Sequence, residues 1–257
     1  MIRVPILMYH SVDDDSSAAC VRPRRFEQQM AYLAKTGYEP VDLDAVCGYM
    51  TRRASLRRKP IVITFDDGYR DNVEKAFPIL KKYGMCATIF LVTGHMGHTN
   101  RWNAKDGVHQ RALLGWEEVR AVVNSPLLSF QAHTSSHLRL TGIPLDQVRE
   151  ELRKSKQMIE EQLGIACHHF AYPYGDHDTA VRNAAEEAGF HTACSTRWGH
   201  NRPGDDPFRL FRIGVSNSDS LGDFKRILGE PPPKWKYYWL RFKKKVVGGA
   251  NAHGRPA

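Results

Sequence analysis

Three short segments gather residue types that can do chemistry. Thr64-Phe65-Asp66-Asp67-Gly68-Tyr69 sets two adjacent carboxylates at the end of the apolar run Ile61–Phe65. Two carboxylates so close are costly unless a cation sits nearby or one of them takes up a proton. Strand alternation would point them to opposite faces, but Gly68 permits a turn that brings both to one site. A helix N-cap, made by Asp67 or Asp71, is the other role this segment fits. His133-Thr134-Ser135-Ser136-His137 follows a second apolar run, 127–132. Two histidines at this spacing can converge on one metal ion, although a pair of unrelated loop histidines is the plainer alternative. Two His and one Asp leave coordination positions open for a water or a substrate oxygen, as Lewis-acid hydrolysis requires. Phe170-Ala171-Tyr172-Pro173-Tyr174-Gly175 ends a third run, where Pro173 and Gly175 fix a turn whose N–H groups can face a cleft. Alone, it is only a strand-ending turn.

All three segments need a scaffold that brings strand ends to one face. Short β-branched runs predict strands over Val4–Tyr9, Ile61–Phe65, Cys86–Val92, Leu128–His133, His169–Tyr172, His191–Ser195 and Phe211–Val215, with a weaker one at Glu39–Val41. Amphipathic patterns predict helices over Arg24–Thr36, Asn72–Tyr83, Trp116–Asn124, Pro144–Leu163 and Thr179–Ala188, the second interrupted by Pro78. This alternation reads as an α/β fold with a parallel sheet, a (β/α) barrel of seven or eight strands; an open doubly wound sheet is the competitor. Either places chemistry at the C-terminal strand ends, where the aspartate and histidine segments both fall. That shared face raises the metal site above the separate alternatives. One barrel domain is expected over 1–230, followed by a tail over 231–257.

Composition narrows the partners. The 37 Lys+Arg against 28 Asp+Glu give a formal charge of +9, which favours anionic partners, but no nucleic-acid motif accompanies it. The five cysteines are scattered and lack metal-binding spacing, the pattern of a reducing compartment. No apolar stretch approaches the roughly 20 residues that span a bilayer, and the N-terminal run does not resemble a signal peptide. A cytoplasmic location, or the inner membrane face, is the expectation. In the tail, Lys234-Trp235-Lys236-Tyr237-Tyr238-Trp239 continues into Leu240-Arg241-Phe242-Lys243-Lys244-Lys245, mixing rings and cations in a way that suits a bilayer interface. Packing of those rings on the barrel is the alternative.

Thr-Phe-Asp-Asp-Gly, His-Thr-x-x-His and Tyr-Pro-Tyr-Gly, in this order, resemble the polysaccharide deacetylase family with the NodB homology domain, carbohydrate esterase family four. The resemblance runs from about Val4 to about Val215 and implies a distorted (β/α) barrel, commonly seven-stranded. By motif it implies Asp66 as general base, Asp67, His133 and His137 as ligands of one divalent ion, and the Tyr174 backbone N–H as an oxyanion donor. The ligand set suits Zn²⁺ first, and also Co²⁺, Ni²⁺, Mn²⁺ or Fe²⁺. The implied reaction is N-deacetylation of an amino-sugar glycan or a lipid-linked sugar. A glycan-binding barrel without activity and a deformylase of a lipid-linked monosaccharide are the alternatives.

Two departures from the family pattern stand out. The late Leu-x-His that normally supplies the general acid is absent, while Met8-Tyr9-His10 ends the first strand. That is similar to the permuted arrangement of biofilm poly-N-acetylglucosamine deacetylases and implies His10 as the acid, a strand-end structural His being the alternative. Ala171 stands where many members carry an Arg that pairs with the catalytic Asp. Arg212 or Arg197 is the expected substitute, although Arg212 falls at a strand start, at the far end of the barrel. Ser195-Thr196-Arg197-Trp198 matches the family's fourth motif loosely, which makes Trp198 a candidate for the acetyl pocket. Pro173, Trp198 and Arg212 are thus the residues expected on the substrate side.

Overall fold

The computed structural model describes residues 2–102 and 110–229. In chain order its elements are β1 (Ile6–Tyr9), β2 (Ser11–Val12), β3 (Cys20–Val21), α1 (Pro23–Lys35), β4 (Glu39–Pro40), α2 (Leu43–Met50) and β5 (Pro60–Phe65). There follow α3 (Phe77–Lys82), β6 (Ala87–Leu91), α4 (Trp116–Arg120), β7 (Leu128–Ala132), α5 (Leu145–Leu163), β8 (His169–Ala171), α6 (Thr179–Glu187), β9 (Thr192–Cys194), β10 (Ile213–Gly214) and α7 (Leu221–Leu228).

Seven strands pair in the order β10-β1-β5-β6-β7-β8-β9, every pair parallel, and β4 adds to β5 off this path. A parallel bridge between Cys194 and Leu210 links β9 to the chain that enters β10. The sheet therefore curls into a distorted (β/α) barrel. Strand alternation sorts its side chains. Along β5, Ile61, Ile63 and Phe65 point outward into the core shared with the helices, with Leu7, Ile89, Phe130 and Phe170. Val62 points inward to a second core with Ile6, Phe90, Ala171 and Cys194. Leu43, Val46, Tyr49 and Met50 of α2 close that inner core from below. The barrel interior is filled at its floor and polar only toward the C-terminal rim.

The expected helices are present with ends trimmed by up to four residues. Pro78 divides the second one: residues Asn72–Ala76 form a π-helical turn before α3. Pro78 offers no N–H to the carbonyl four residues back, so the chain widens there instead of continuing. Two short helices fall outside those expected from the sequence. These are α2, capped by Asp42 (Oδ1 accepting from Ala45 N, 2.7 Å) and interrupted by Gly48, and α7, closed by a Ser220/Asp223 capping box. Among the described residues no helix is long and apolar enough to cross a membrane, and the five cysteines are free thiols. The basic aromatic segment 231–257 lies outside the described residues.

Candidate active site

Asp66 and Asp67 follow β5 directly. Asp66 N donates to Tyr9 O (3.0 Å), continuing the strand by one residue, after which Asp67 and Gly68 both take positive φ (73° and 70°). That double left-handed step swings Asp67 back over the barrel mouth. Gly68 suits this step because its φ of 70° strains any L side chain, and a Cβ there would also press on Leu91 Cδ2 at 2.8 Å. Neither candidate N-cap acts as one. The Asp71 carboxylate instead accepts from Ser11 Oγ (2.6 Å) and Val12 N (2.9 Å), fixing the loop after β1.

The histidine loop follows β7 and is held by α5. Glu151, buried, accepts from Ser135 N (2.9 Å) and Ser136 N (2.8 Å), and Thr134 Oγ1 accepts from His137 N (2.9 Å). His133 Nε2 and His137 Nε2 lie 3.5 and 3.2 Å from the same oxygen of Asp67. His133 Nδ1 lies 2.7 Å from Ala171 O; donating its proton there leaves Nε2 a lone pair facing Asp67. The His137 ring stacks on Trp102, with centroids 4.7 Å apart and planes 22° from parallel. Of the six non-glycine residues with positive φ among the described residues, Asp67, Thr134, His137 and Tyr174 sit here. Each such conformation costs of order 1–3 kcal/mol and persists only where the surroundings impose it.

Arg212 supplies the cation that Ala171 cannot. Its Nη1 and Nη2 donate to Asp66 Oδ1 (2.6 Å) and Oδ2 (2.7 Å), Nη1 also to Thr64 Oγ1 (3.2 Å), and Nε to Ser195 O (2.9 Å). Ile213 pairs with Leu7, so Arg212 starts level with Ile6 and Val62, well below Asp66. The long side chain climbs the barrel interior past Phe90, its guanidinium 5.8 Å from the ring centre. A strand-start position is thus no obstacle. Arg197 instead lies over the Phe211 ring.

Burial alone would raise Asp66, but the Arg212 guanidinium, with His133, overrides it and holds the carboxyl below its usual range. Burial likewise opposes charge on Asp67, yet the His133 and His137 imidazoles beside its oxygen take it well below. Burial pushes both imidazoles down; contact with Asp67 and the nearby Asp66 reverses this for His133, which rises, while His137 stays lowered. Both carboxylates are therefore ionised although their side chains are buried.

His10, Asp66, Asp67, His133, His137 and Tyr174 line one cavity of about 320 Å³, together with Tyr69, Arg111 and Thr196. His10 is half-buried and its carbonyl accepts from Asn72 Nδ2 (2.8 Å). Tyr174 is placed by the Pro173–Gly175 turn. A Cβ on Gly175 would lie 2.1 Å from Thr196 Oγ1, so the turn packs backbone against the chain after β9. Pro173, Trp198 and Arg212 do not line the cavity. Pro173 and Trp198 are buried, and Arg212 reaches the site through Asp66. Tyr69 and Arg111 went unread in the sequence; Tyr69 at least adjoins the aspartate pair, whereas Arg111 lies in a loop with no pattern.

The donor atoms of Asp67, His133 and His137 lie within 4.8 Å of one another. Bonds of about 2.0–2.2 Å at tetrahedral angles separate two donors by about 3.4 Å, close to the spacing seen here. An ionised carboxylate, an imidazole oriented by a backbone carbonyl and near-complete burial are compatible with one divalent ion.

A parallel barrel with this constellation at its C-terminal mouth defines a hydrolase-type site. The sequence model of the polysaccharide deacetylase family matches residues 53–193, and the chain belongs to that family. Bacillus subtilis YxkH, whose name places it among polysaccharide deacetylases, is 31% identical over 214 residues, 83% of this chain and 72% of that protein. The poly-β-1,6-N-acetyl-D-glucosamine N-deacetylase of Escherichia coli K12 is 24% identical, over 90% of this chain but 37% of its own length. The Streptococcus pyogenes deacetylase PplD, solved in complex with acetate, superposes with a TM-score of 0.77 at 25% identity, covering 90% of this chain and 99% of that one.

Proposed function

We propose that the chain is a metal-dependent hydrolase that removes N-acetyl groups from an amino-sugar glycan, with β-1,6-linked N-acetylglucosamine the first substrate class to try. One observation carries this reading: an ionised Asp66, clamped by Arg212, stands directly beside Asp67, His133 and His137 in a cavity that His10 also lines. The E. coli relative's name supplies the substrate class, and the acetate held by PplD is the product such a reaction releases.

Asp67, His133 and His137 would hold the divalent ion, which supplies Lewis acidity to the acetyl carbonyl and to a water. Asp66 accepts the proton of the attacking water on a carboxylate oxygen, and Arg212 fixes that carboxylate's orientation and charge. The Tyr174 backbone N–H is assigned to the oxyanion of the tetrahedral stage. His10 returns a proton to the departing sugar nitrogen as the C–N bond breaks. Acetate and a free amine leave.

Acetate release from β-1,6- and β-1,4-linked N-acetylglucosamine oligomers, and from a polyprenyl-linked N-acetyl sugar, tests the proposal and ranks the substrates. Asp66→Asn, with its metal content intact, is expected to lower kcat about 10²–10⁴-fold. Wild-type protein that is metal-loaded yet releases no acetate from any of the three would contradict it.

A further inference from the structure

The opposite rim of the barrel carries a second histidine–aspartate cluster that the proposed reaction does not use. His168 immediately precedes β8, His169 begins it, His191 immediately precedes β9, and Asp44 lies in the first turn of the floor helix α2. Donor atoms of Asp44, His168 and His191 lie within 4.8 Å of one another. His168 Nδ1 is 3.6 Å from Asp44 Oδ1, and His169 Nε2 is 3.3 Å from the same oxygen.

Backbone bonds hold these residues in place. Gln131, buried on β7, accepts at one oxygen from both His168 N (2.9 Å) and His169 N (2.8 Å), and His191 N donates to His168 O (2.7 Å). The His168 and His191 rings stack with centroids 4.1 Å apart. His169 is the second, independent sign of a ligand. Its side chain is 3% exposed, Nδ1 pairs with Thr192 Oγ1 (2.9 Å), and the buried Nε2 is aimed at Asp44 with no hydrogen-bond partner in good geometry.

Three imidazoles around one carboxylate present more lone pairs than protons to share. A cation satisfies all of these groups at once. Imidazole-rich sets with one carboxylate suit Zn²⁺, Ni²⁺, Co²⁺ or Cu²⁺ rather than Mg²⁺ or Ca²⁺. We propose that Asp44, His168 and His191, backed by His169, form a second transition-metal site that pins α2 to the starts of β8 and β9. Because α2 closes the inner core, the ion would act as a clamp on the barrel floor, apart from the acetyl-removing site.

Metal analysis of the full chain after equilibration with buffered Zn²⁺ tests this. Wild type is expected to hold two zinc ions per chain, His168→Ala/His191→Ala one, and His133→Ala one. Asp44→Asn, a change at an exposed side chain, provides a second variant and is expected to weaken the rim site at least tenfold. Zn²⁺ should still raise the Tm of His133→Ala and no longer raise it once His168 and His191 are also replaced. A wild-type content of one ion, or equal contents in wild type and the His168/His191 variant, would overturn the proposal.

Discussion

At the C-terminal rim, two histidine nitrogens stand 3.2 and 3.5 Å from Asp67; at the N-terminal rim, two others stand 3.3 and 3.6 Å from Asp44. Donor spacing does not distinguish them. Their surroundings do. Asp67, His133 and His137 are all buried, Asp67, Thr134 and His137 are held at positive φ, and a cavity opens onto the ligands. Asp44 and His191 are exposed, and none of His168, His169 and His191 takes a positive φ. Above all, the C-terminal rim has Asp66, a carboxylate with its own buried guanidinium, and the other rim has no counterpart among the described residues. A metal-ready cluster becomes a candidate for chemistry when an oriented base stands beside it in a place that excludes water.

Removing the guanidinium is the most severe way to break that difference. Arg212→Met leaves Asp66 charged and unpaired in the interior, which costs about 3–5 kcal/mol of stability. Acetate release should fall with it, because Asp66 either takes up a proton or turns away; urea unfolding beside an acetate assay reads both. Arg212→Lys keeps the charge but loses the bidentate fork, and should recover stability better than activity. Unchanged stability in the Met variant would mean that the pair does not form as described.

A smaller effect is expected one layer out. Glu151 anchors the histidine loop through Ser135 N and Ser136 N without touching the cavity. Glu151→Ala should weaken metal binding at the C-terminal rim about 10–100-fold, the usual consequence of losing a supporting contact. The rim site at Asp44 should be unaffected. Calorimetric titration on backgrounds lacking one or the other cluster separates the two; equal weakening at both would point to general unfolding instead.

Much of the site was legible in the sequence because strand ends are. Each of the Asp-Asp-Gly, His-x-x-x-His and Tyr-Pro-Tyr-Gly segments terminates an apolar run, and in a parallel barrel such ends share one face. His10 came into view on the same ground, at the end of β1. The pairing of Arg212 with Asp66 could be listed but not decided, since it depends on how far a side chain reaches inside the barrel. Pro173 and Trp198, read as substrate-side residues by motif, are buried and are not among the residues that line the cavity. The floor helix α2 was missed because eight residues with an internal glycine give a weak period. The Asp44 cluster, which needs α2 beside β8 and β9, was invisible with it.

If Asp67, His133 and His137 hold the ion on which acetate removal depends, activity must follow the filling of that one site. Acetate release by metal-stripped protein, followed as Zn²⁺ or Co²⁺ is titrated back, tests it most directly. The expected result is negligible activity in the stripped wild type, recovery on refilling the C-terminal rim, and no recovery in His133→Ala at any metal concentration that leaves the fold intact. Full activity in stripped protein, or full recovery in His133→Ala, would contradict it.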